Sequence, residues 1–283
     1  MVTSSGAAGS RSTRAVLRLA ISIVAFVLLP LLAFGGLGED VAEGDAIRGD
    51  FLTHALMVDR VHPLRWLLAA WSVVGGGRGL LLLTAIAIGW LVLDRRKADA
   101  LFVALAVAGS TVFSQAFKAI FARPRPPVTR YLFSGDPSIE LSAAVAVLAV
   151  LAVLAWRTRW RGLVLVTAGA FAILLALDAL TTAAFHIPPE LGSFPSGHAV
   201  SSMAFVASLV VVWPRRERWA VAVAAAVFVL LVGVSRVYLG FHYPSDVVGG
   251  WCLSIAWVIV FTAVARPRLP AVIRRMDPSP VAG

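Results

Sequence analysis

The sequence is poorest in the residues that build covalent and metal staples. Its one cysteine, Cys252, sits in an apolar run. An internal disulfide is therefore impossible, and a zinc site made of cysteines is excluded. Among the five histidines, His54, His62 and His186 stand at no spacing that suits a metal ion. Charge is scarce as well: 14% of the residues are charged and 59% are hydrophobic, a balance that no soluble domain of ordinary make-up has. Acids are the scarcest charge, 15 against 25 Lys and Arg, for a formal net charge of +10. In a soluble chain that excess would point to nucleic acid. Here the positions of the cations point elsewhere, and no nucleic-acid partner is expected. No internal repeat is present.

What the chain does have is apolar runs, several of them roughly 17 to 25 residues long, enough to cross a bilayer as helices. It reads as an all-α polytopic membrane helix bundle of about eight transmembrane helices. Residues 1–14 read as a disordered cytoplasmic tail, 15–268 as one membrane-embedded domain and 269–283 as a second cytoplasmic tail. The first crossing follows Arg11, Arg14 and Arg18 and runs to about Leu37; its length and the lack of a small-residue cleavage site favour a helix over a signal peptide. Glu39 to Asp50 is expected to be a solvated loop, and Phe51 to Trp71 a helix lying at the membrane surface, broken by Gly75-Gly76-Gly77. Further crossings are expected at about Leu80–Leu93, Ala98–Phe121, Leu141–Trp156, Gly162–Phe185, Ala199–Trp213, Trp219–Val234 and Val247–Ala265.

With both termini in the cytoplasm, 16 of the 25 cations fall on the inner side, among them Arg95-Arg96-Lys97, Arg157, Arg159, Arg161, Arg215, Arg216, Arg218, Arg266 and Arg268. Every inner connection is then basic, as the positive-inside rule asks. Three polar clusters remain on the outer side at similar depth. Lys118 and Arg125 close the third crossing, Pro195-Ser196-Gly197-His198 opens the sixth, and Ser235-Arg236 closes the seventh ahead of His242 and Asp246. A cation inside the apolar layer costs about 2.5 to 3.5 kcal/mol on insertion scales, so such residues mark function by default.

Taken singly, each cluster has a plain reading. Lys118 and Arg125 can be snorkelling anchors, Pro-Ser-Gly-His a turn, and His242 with Asp246 a helix cap. Together they carry a resemblance. Lys118, six residues, then Arg125-Pro126; Pro195-Ser196-Gly197-His198; and Ser235-Arg236, five residues, His242, three residues, Asp246 resemble the tripartite signature of the type 2 phosphatidic acid phosphatase superfamily over residues 118–246. That resemblance implies a six-helix core, a lipid phosphate substrate and a phosphohistidine formed on His242. It implies that Asp246 orients the His242 ring and that His198 protonates the leaving lipid oxygen. The family also includes soluble vanadium haloperoxidases, a reading the membrane runs disfavour. The run from Leu141 to Phe185 departs from the family pattern and reads as an inserted helical pair, spanning twice or folded back.

The residue types suit phosphoryl transfer on their own terms. Lys118, Arg125 and Arg236 offer three positive charges to a phosphate group, and arginine can fork onto two of its oxygens. Ser196 and the Gly197 N–H add donors at a helix start, where the dipole also favours an anion. With these cations no metal or other cofactor is required. Arg123 is a further candidate for a diphosphate, or an anchor; Asp178, inside the fifth crossing, is a functional candidate or one half of a buried pair with an arginine. The expected activity is that of a bacterial plasma-membrane phosphatase with its site on the extracytoplasmic face. Undecaprenyl diphosphate is the first substrate expected, with phosphatidylglycerol phosphate or phosphatidic acid next. A non-enzymatic lipid-phosphate binder or transporter is the competing class.

Overall fold

The computed structural model describes residue 21, residues 24–44, 47, 49–51, 65–126, 161–188 and 190–276. Nine helices account for nearly all of the described residues. They are α1 (Val24–Glu43, opening with a π-helical turn), α2 (Arg65–Val74), α3 (Gly77–Leu93), α4 (Lys97–Phe121), α5 (Arg161–Phe185), α6 (Gly197–Val212), α7 (Arg218–Tyr238), α8 (Pro244–Val264) and α9 (Leu269–Met276). Five of them are long and apolar enough to cross a membrane, and a sixth span results if α2 and α3, bent by 55° at their junction, count as one. α6, with 16 residues, is shorter. The described residues are thus all-helical, and the protein is a multi-pass membrane protein.

Each stop is written in the sequence. Gly44 takes a left-handed conformation, φ 75°, and caps α1. Pro124 and Pro126 follow the end of α4, and Pro214 follows α6. Pro244 fits the first turn of α8, where its missing N–H costs nothing.

α6 is the axis of the bundle, packed against α4, α7 and α8. α1 lies along α8, α2 along α7, and α5 covers α3 and part of α4. Contact between apolar helices in lipid relies on close fit rather than on hydrophobic exclusion. Small residues provide it. A Cβ at Gly250 would crowd Ala199 and the Ser196 carbonyl, so the start of α8 lies directly against the start of α6. Phe194 is fully buried and stacks on Phe34 of α1 at 5.4 Å, which fixes the segment leading into α6.

Two expectations change. Glu39, Asp40 and Glu43 continue α1 instead of forming a solvated loop, because the left-handed stop comes only at Gly44. Of the helix expected at the membrane surface from Phe51 to Trp71, residues 52–64 lie outside the described residues; the described end is not a surface helix, since Leu68 and Ser72 of α2 are buried and α2 packs on α7. The apolar run from Leu141 to Trp156 lies outside the described residues, as do the N-terminal residues up to 20. Its expected partner is present as α5. The expected tail after 268 begins as α9.

The basic ends and the polar clusters separate along the bundle. Lys97 and Lys118 stand at opposite ends of α4, about 32 Å apart at 1.5 Å per residue. Arg96, beside Lys97, donates to the Val212 carbonyl at the end of α6, while Lys118 reaches its start.

Candidate active site

Four backbone segments meet at the start of α6. The strand of chain after α4 is tied to the segment before α6 by Ser193 N–H to the Arg123 carbonyl, 2.9 Å, and Arg125 N–H to the Glu190 carbonyl, 3.0 Å. Ser196 N–H donates to the Asp246 carbonyl at 2.9 Å, which joins the same segment to α8. Glu190 to Ser196 therefore forms a bridge between all three polar clusters.

His242 lies in the turn between α7 and α8 and is 2% exposed. Its Nδ1 donates to the Ser193 carbonyl at 2.9 Å, with an Asp246 carboxylate oxygen 3.4 Å away. Both neighbours are acceptors, so the proton belongs on Nδ1. Nε2 then carries the lone pair, and it faces an Arg125 nitrogen at 3.4 Å. The ring thus turns its lone-pair nitrogen to a cation, which donates to it at 3.4 Å. Burial holds its pKa well below the ordinary histidine value, and the charges of Arg125, Arg236 and Lys118 lower it further.

A test in pH follows from this sign. Only a neutral imidazole can attack, so with His242 as the nucleophile the acid limb of kcat/KM, which reports the free protein, is expected below pH 6.5. Arg125→Gln removes the nearest of these charges and should move that limb upward even as the rate falls. An unmoved limb would separate it from His242.

Asp246 is tied from every side. It accepts from Tyr243 N–H at 2.9 Å, from Ser193 Oγ at 2.5 Å and from Arg123 at 2.5 Å. The first bond also makes it the capping residue of α8, so helix start and site share one carboxylate. Arg123 forks further, to Asp50 at 2.8 Å, and stacks on Tyr243 at 4.2 Å. Asp50 in turn accepts from Ser245 N–H and Oγ. The guanidinium of Arg123, a candidate contact for a diphosphate, is engaged with two carboxylates.

The remaining cations gather above α6. Lys118 Nζ would lie 3.2 Å from a Cβ built on Gly197, so glycine here keeps room for the ammonium. Arg236, 7% exposed, donates to Ser72 Oγ and lies over the Phe241 ring at 4.2 Å. His198, half-buried, shares this space with Arg236, His242, Lys118 and Arg125. Ser196 Oγ is buried and has no hydrogen-bond partner among the described residues. A hydroxyl without a partner at a helix start, one residue from Gly197 and its neighbour Lys118, is suited to donate to an anion. Ser196→Ala is accordingly expected to raise KM for a phosphate ester about tenfold. An unchanged KM would assign the hydroxyl to packing.

Asp178 stands apart. The charges acting on it are Arg78 and Lys118. It lines a cavity of about 280 Å³ that is otherwise largely apolar, between α4, α5 and α8. A smaller cavity of about 140 Å³ lies between the ends of α4 and α5 and is lined by Lys118, Arg125, Gln115 and Thr182. α5 thus supplies one wall of this cavity.

Sequence reasoning did not assign roles to Asp50, Ser72, Ser193 or the glycines of α8. Ser193 lies within the Gly192–His198 stretch, yet its pairing with a residue 53 positions on carries no local spacing signal.

Residues 177–269 match the family model of the PAP2 superfamily. Lipid A 1-phosphatase of Rhizobium johnstonii is 38% identical over 76 residues, 27% of this chain and 29% of the relative. Undecaprenyl-diphosphatase of Sulfolobus acidocaldarius is 39% identical over 66 residues, 23% and 30% of the two chains. Phosphatidylglycerophosphatase B of Bacillus subtilis is 36% identical over 69 residues, 22% and 34%. The matched stretch spans about a third of these relatives' length. The crystal structure of the transmembrane PAP2-type phosphatidylglycerolphosphate phosphatase from Bacillus subtilis shares the fold, with a TM-score of 0.54 over 85% of this chain and 94% of that one, at 18% identity. The segment that matches the PAP2 superfamily holds the second and third polar clusters, and the fold, shared with that phosphatase, brings the first cluster to them.

Proposed function

We propose that this chain is a membrane phosphatase that removes phosphate from a lipid phosphate or diphosphate at the extracytoplasmic face. The observation that carries the reading is His242, whose Nδ1 donates to the Ser193 carbonyl while its Nε2 lone pair is turned to Arg125, a long 3.4 Å contact that a phosphoryl group would replace. Nε2 attacks phosphorus, and the bond from phosphorus to the leaving oxygen breaks. Lys118, Arg125 and Arg236 take up the charge on the phosphoryl oxygens, with Ser196 Oγ and the Gly197 N–H as further donors. His198 gives a proton to the leaving lipid oxygen. It then takes one from the water that cleaves the phosphohistidine, which returns both histidines to their starting state. Asp246 stabilises the imidazolium that develops on His242, much as the aspartate of a serine-protease triad does.

The substrates in the names of the relatives are lipid A, undecaprenyl diphosphate and phosphatidylglycerophosphate. We favour undecaprenyl diphosphate, with phosphatidylglycerol phosphate and phosphatidic acid as alternatives. The test is phosphate release by the purified chain in detergent with EDTA present, across these lipids. Metal-independent release from one of them is the expected result. Binding without release from any would assign the site to a lipid-phosphate binder or transporter.

A further inference from the structure

The junction of α2 and α3 touches the site in two places. Ser72, on the last turns of α2, accepts from Arg236. Four residues on, Gly76 lies against His198. A Cβ added there would overlap Cδ2 and Nε2 of the imidazole ring, which means that the bare α carbon and the ring are in contact. Gly76 itself has an extended backbone, φ −150°, that any residue can adopt. Its lack of a side chain is therefore required by the histidine and not by the turn. Its neighbours differ: Gly77 has φ 50°, and a Cβ on Gly75 would strike Val232.

The contact matters because of what His198 lacks. Its ring makes no hydrogen bond to any described residue, unlike His242, whose Nδ1 is anchored. A proton donor must hold its nitrogen within hydrogen-bond reach of the leaving oxygen, about 2.6 to 3.2 Å. Among the described residues, what aims His198 is packing. α6 fixes its backbone, and Gly76 closes one side of the ring.

We infer that Gly76 is a positioning residue for His198: the bent junction of α2 and α3 is the wall that aims the proton donor at the leaving group. The inference rests on the phosphatase reading above, and it predicts a dependence on leaving group. An alkyl lipid alcohol leaves poorly without a proton, whereas p-nitrophenolate leaves without help. A methyl group at position 76 displaces the ring; it slows the shared hydrolysis of the phosphohistidine for both substrates, but in kcat/KM, which ends at departure of the leaving group, it should penalise only the first.

The experiment compares dioctanoyl phosphatidic acid with p-nitrophenyl phosphate in detergent for the unaltered chain, Gly76→Ala, His198→Ala and the double variant. Gly169→Ala, where a Cβ meets nothing within 4 Å, is the control. Gly76→Ala should lower kcat/KM on the lipid, which reports the steps up to departure of the leaving group, about 100-fold, within the range of general acid catalysis. On p-nitrophenyl phosphate it should change kcat/KM by no more than about threefold. In the His198→Ala background the glycine substitution should add nothing, because the ring it displaces is gone. Equal losses on both substrates, or additive losses in the double variant, would overturn the positioning role while leaving the phosphatase reading intact. If the unaltered chain does not hydrolyse dioctanoyl phosphatidic acid, the lipid arm uses undecaprenyl diphosphate or phosphatidylglycerol phosphate instead, and if it releases phosphate from none of these lipids both readings fall. Should Gly76→Ala not fold, the double variant decides: recovery of folding when the ring is removed supports the contact, and continued failure assigns the glycine to the backbone.

Discussion

His242→Ala is expected to lower phosphate release at least about 10,000-fold, the scale on which loss of a covalent nucleophile is felt. The chain should still fold. The substitution removes one hydrogen bond to the Ser193 carbonyl, worth about 1 kcal/mol, and leaves Asp246 with its bonds to Ser193, Tyr243 and Arg123. Rate and fold should thus separate. A rapid quench into alkali with labelled substrate reads the chemistry directly, since a phosphorus–nitrogen bond survives alkali and is lost in acid. Label should be trapped on the unaltered chain and absent from His242→Ala. Persisting turnover in the variant would remove His242 from the reaction. Asp246→Asn separates nucleophile from support: the ring keeps its partner at the Ser193 carbonyl, so the label should still form, only more slowly.

Arg123→Leu should do the reverse, with its largest effect on stability. Its guanidinium lies between Asp50 and Asp246, whose side chains are 6% and 0% exposed. Removing it strands two carboxylates in a poorly solvated place. Breaking a buried ion pair from one side costs about 3 to 5 kcal/mol, most of it the desolvation of the charge left behind. A large fall in the melting temperature in detergent is the expected reading. Arg123→Lys should restore little, because an ammonium cannot fork to Asp50 and Asp246 at once while stacking on Tyr243. Asp50→Asn in the Arg123→Leu background removes one of the stranded charges and should recover part of the loss. A melting temperature unmoved by Arg123→Leu would mean that water reaches these carboxylates.

The polar clusters were legible in the sequence because each is a short local pattern and because apolar runs on either side set its depth. Lys118 and Arg125 are seven residues apart, and His242 and Asp246 four, spacings that a helix end or a helix start converts directly into geometry. What holds these groups was not legible. Asp50 meets Arg123 across 73 positions, Arg236 meets Ser72 across 164, and neither Asp50 nor Ser72 sits in a recognisable pattern. Gly76 looked like part of a break between two helices, and its contact with His198 depends on a 55° bend that no periodicity encodes. The same holds for α1, where acidic residues suggested water but the stop signal came later, at Gly44.

The length of α6 has a consequence for where chemistry happens relative to the lipid. Sixteen residues span about 24 Å, against about 30 Å for the hydrocarbon layer. Its far end, at Val212, is tied to Arg96 beside the basic end of the bundle. If that end marks one boundary of the hydrocarbon, His198 stands several ångströms short of the other. A phosphate reaching it sinks below the plane of its neighbours' headgroups, drawn down by the three cations, while its chains stay among those of the surrounding lipid. The bilayer would then act as part of the binding pocket, and its thickness would become a variable of the rate.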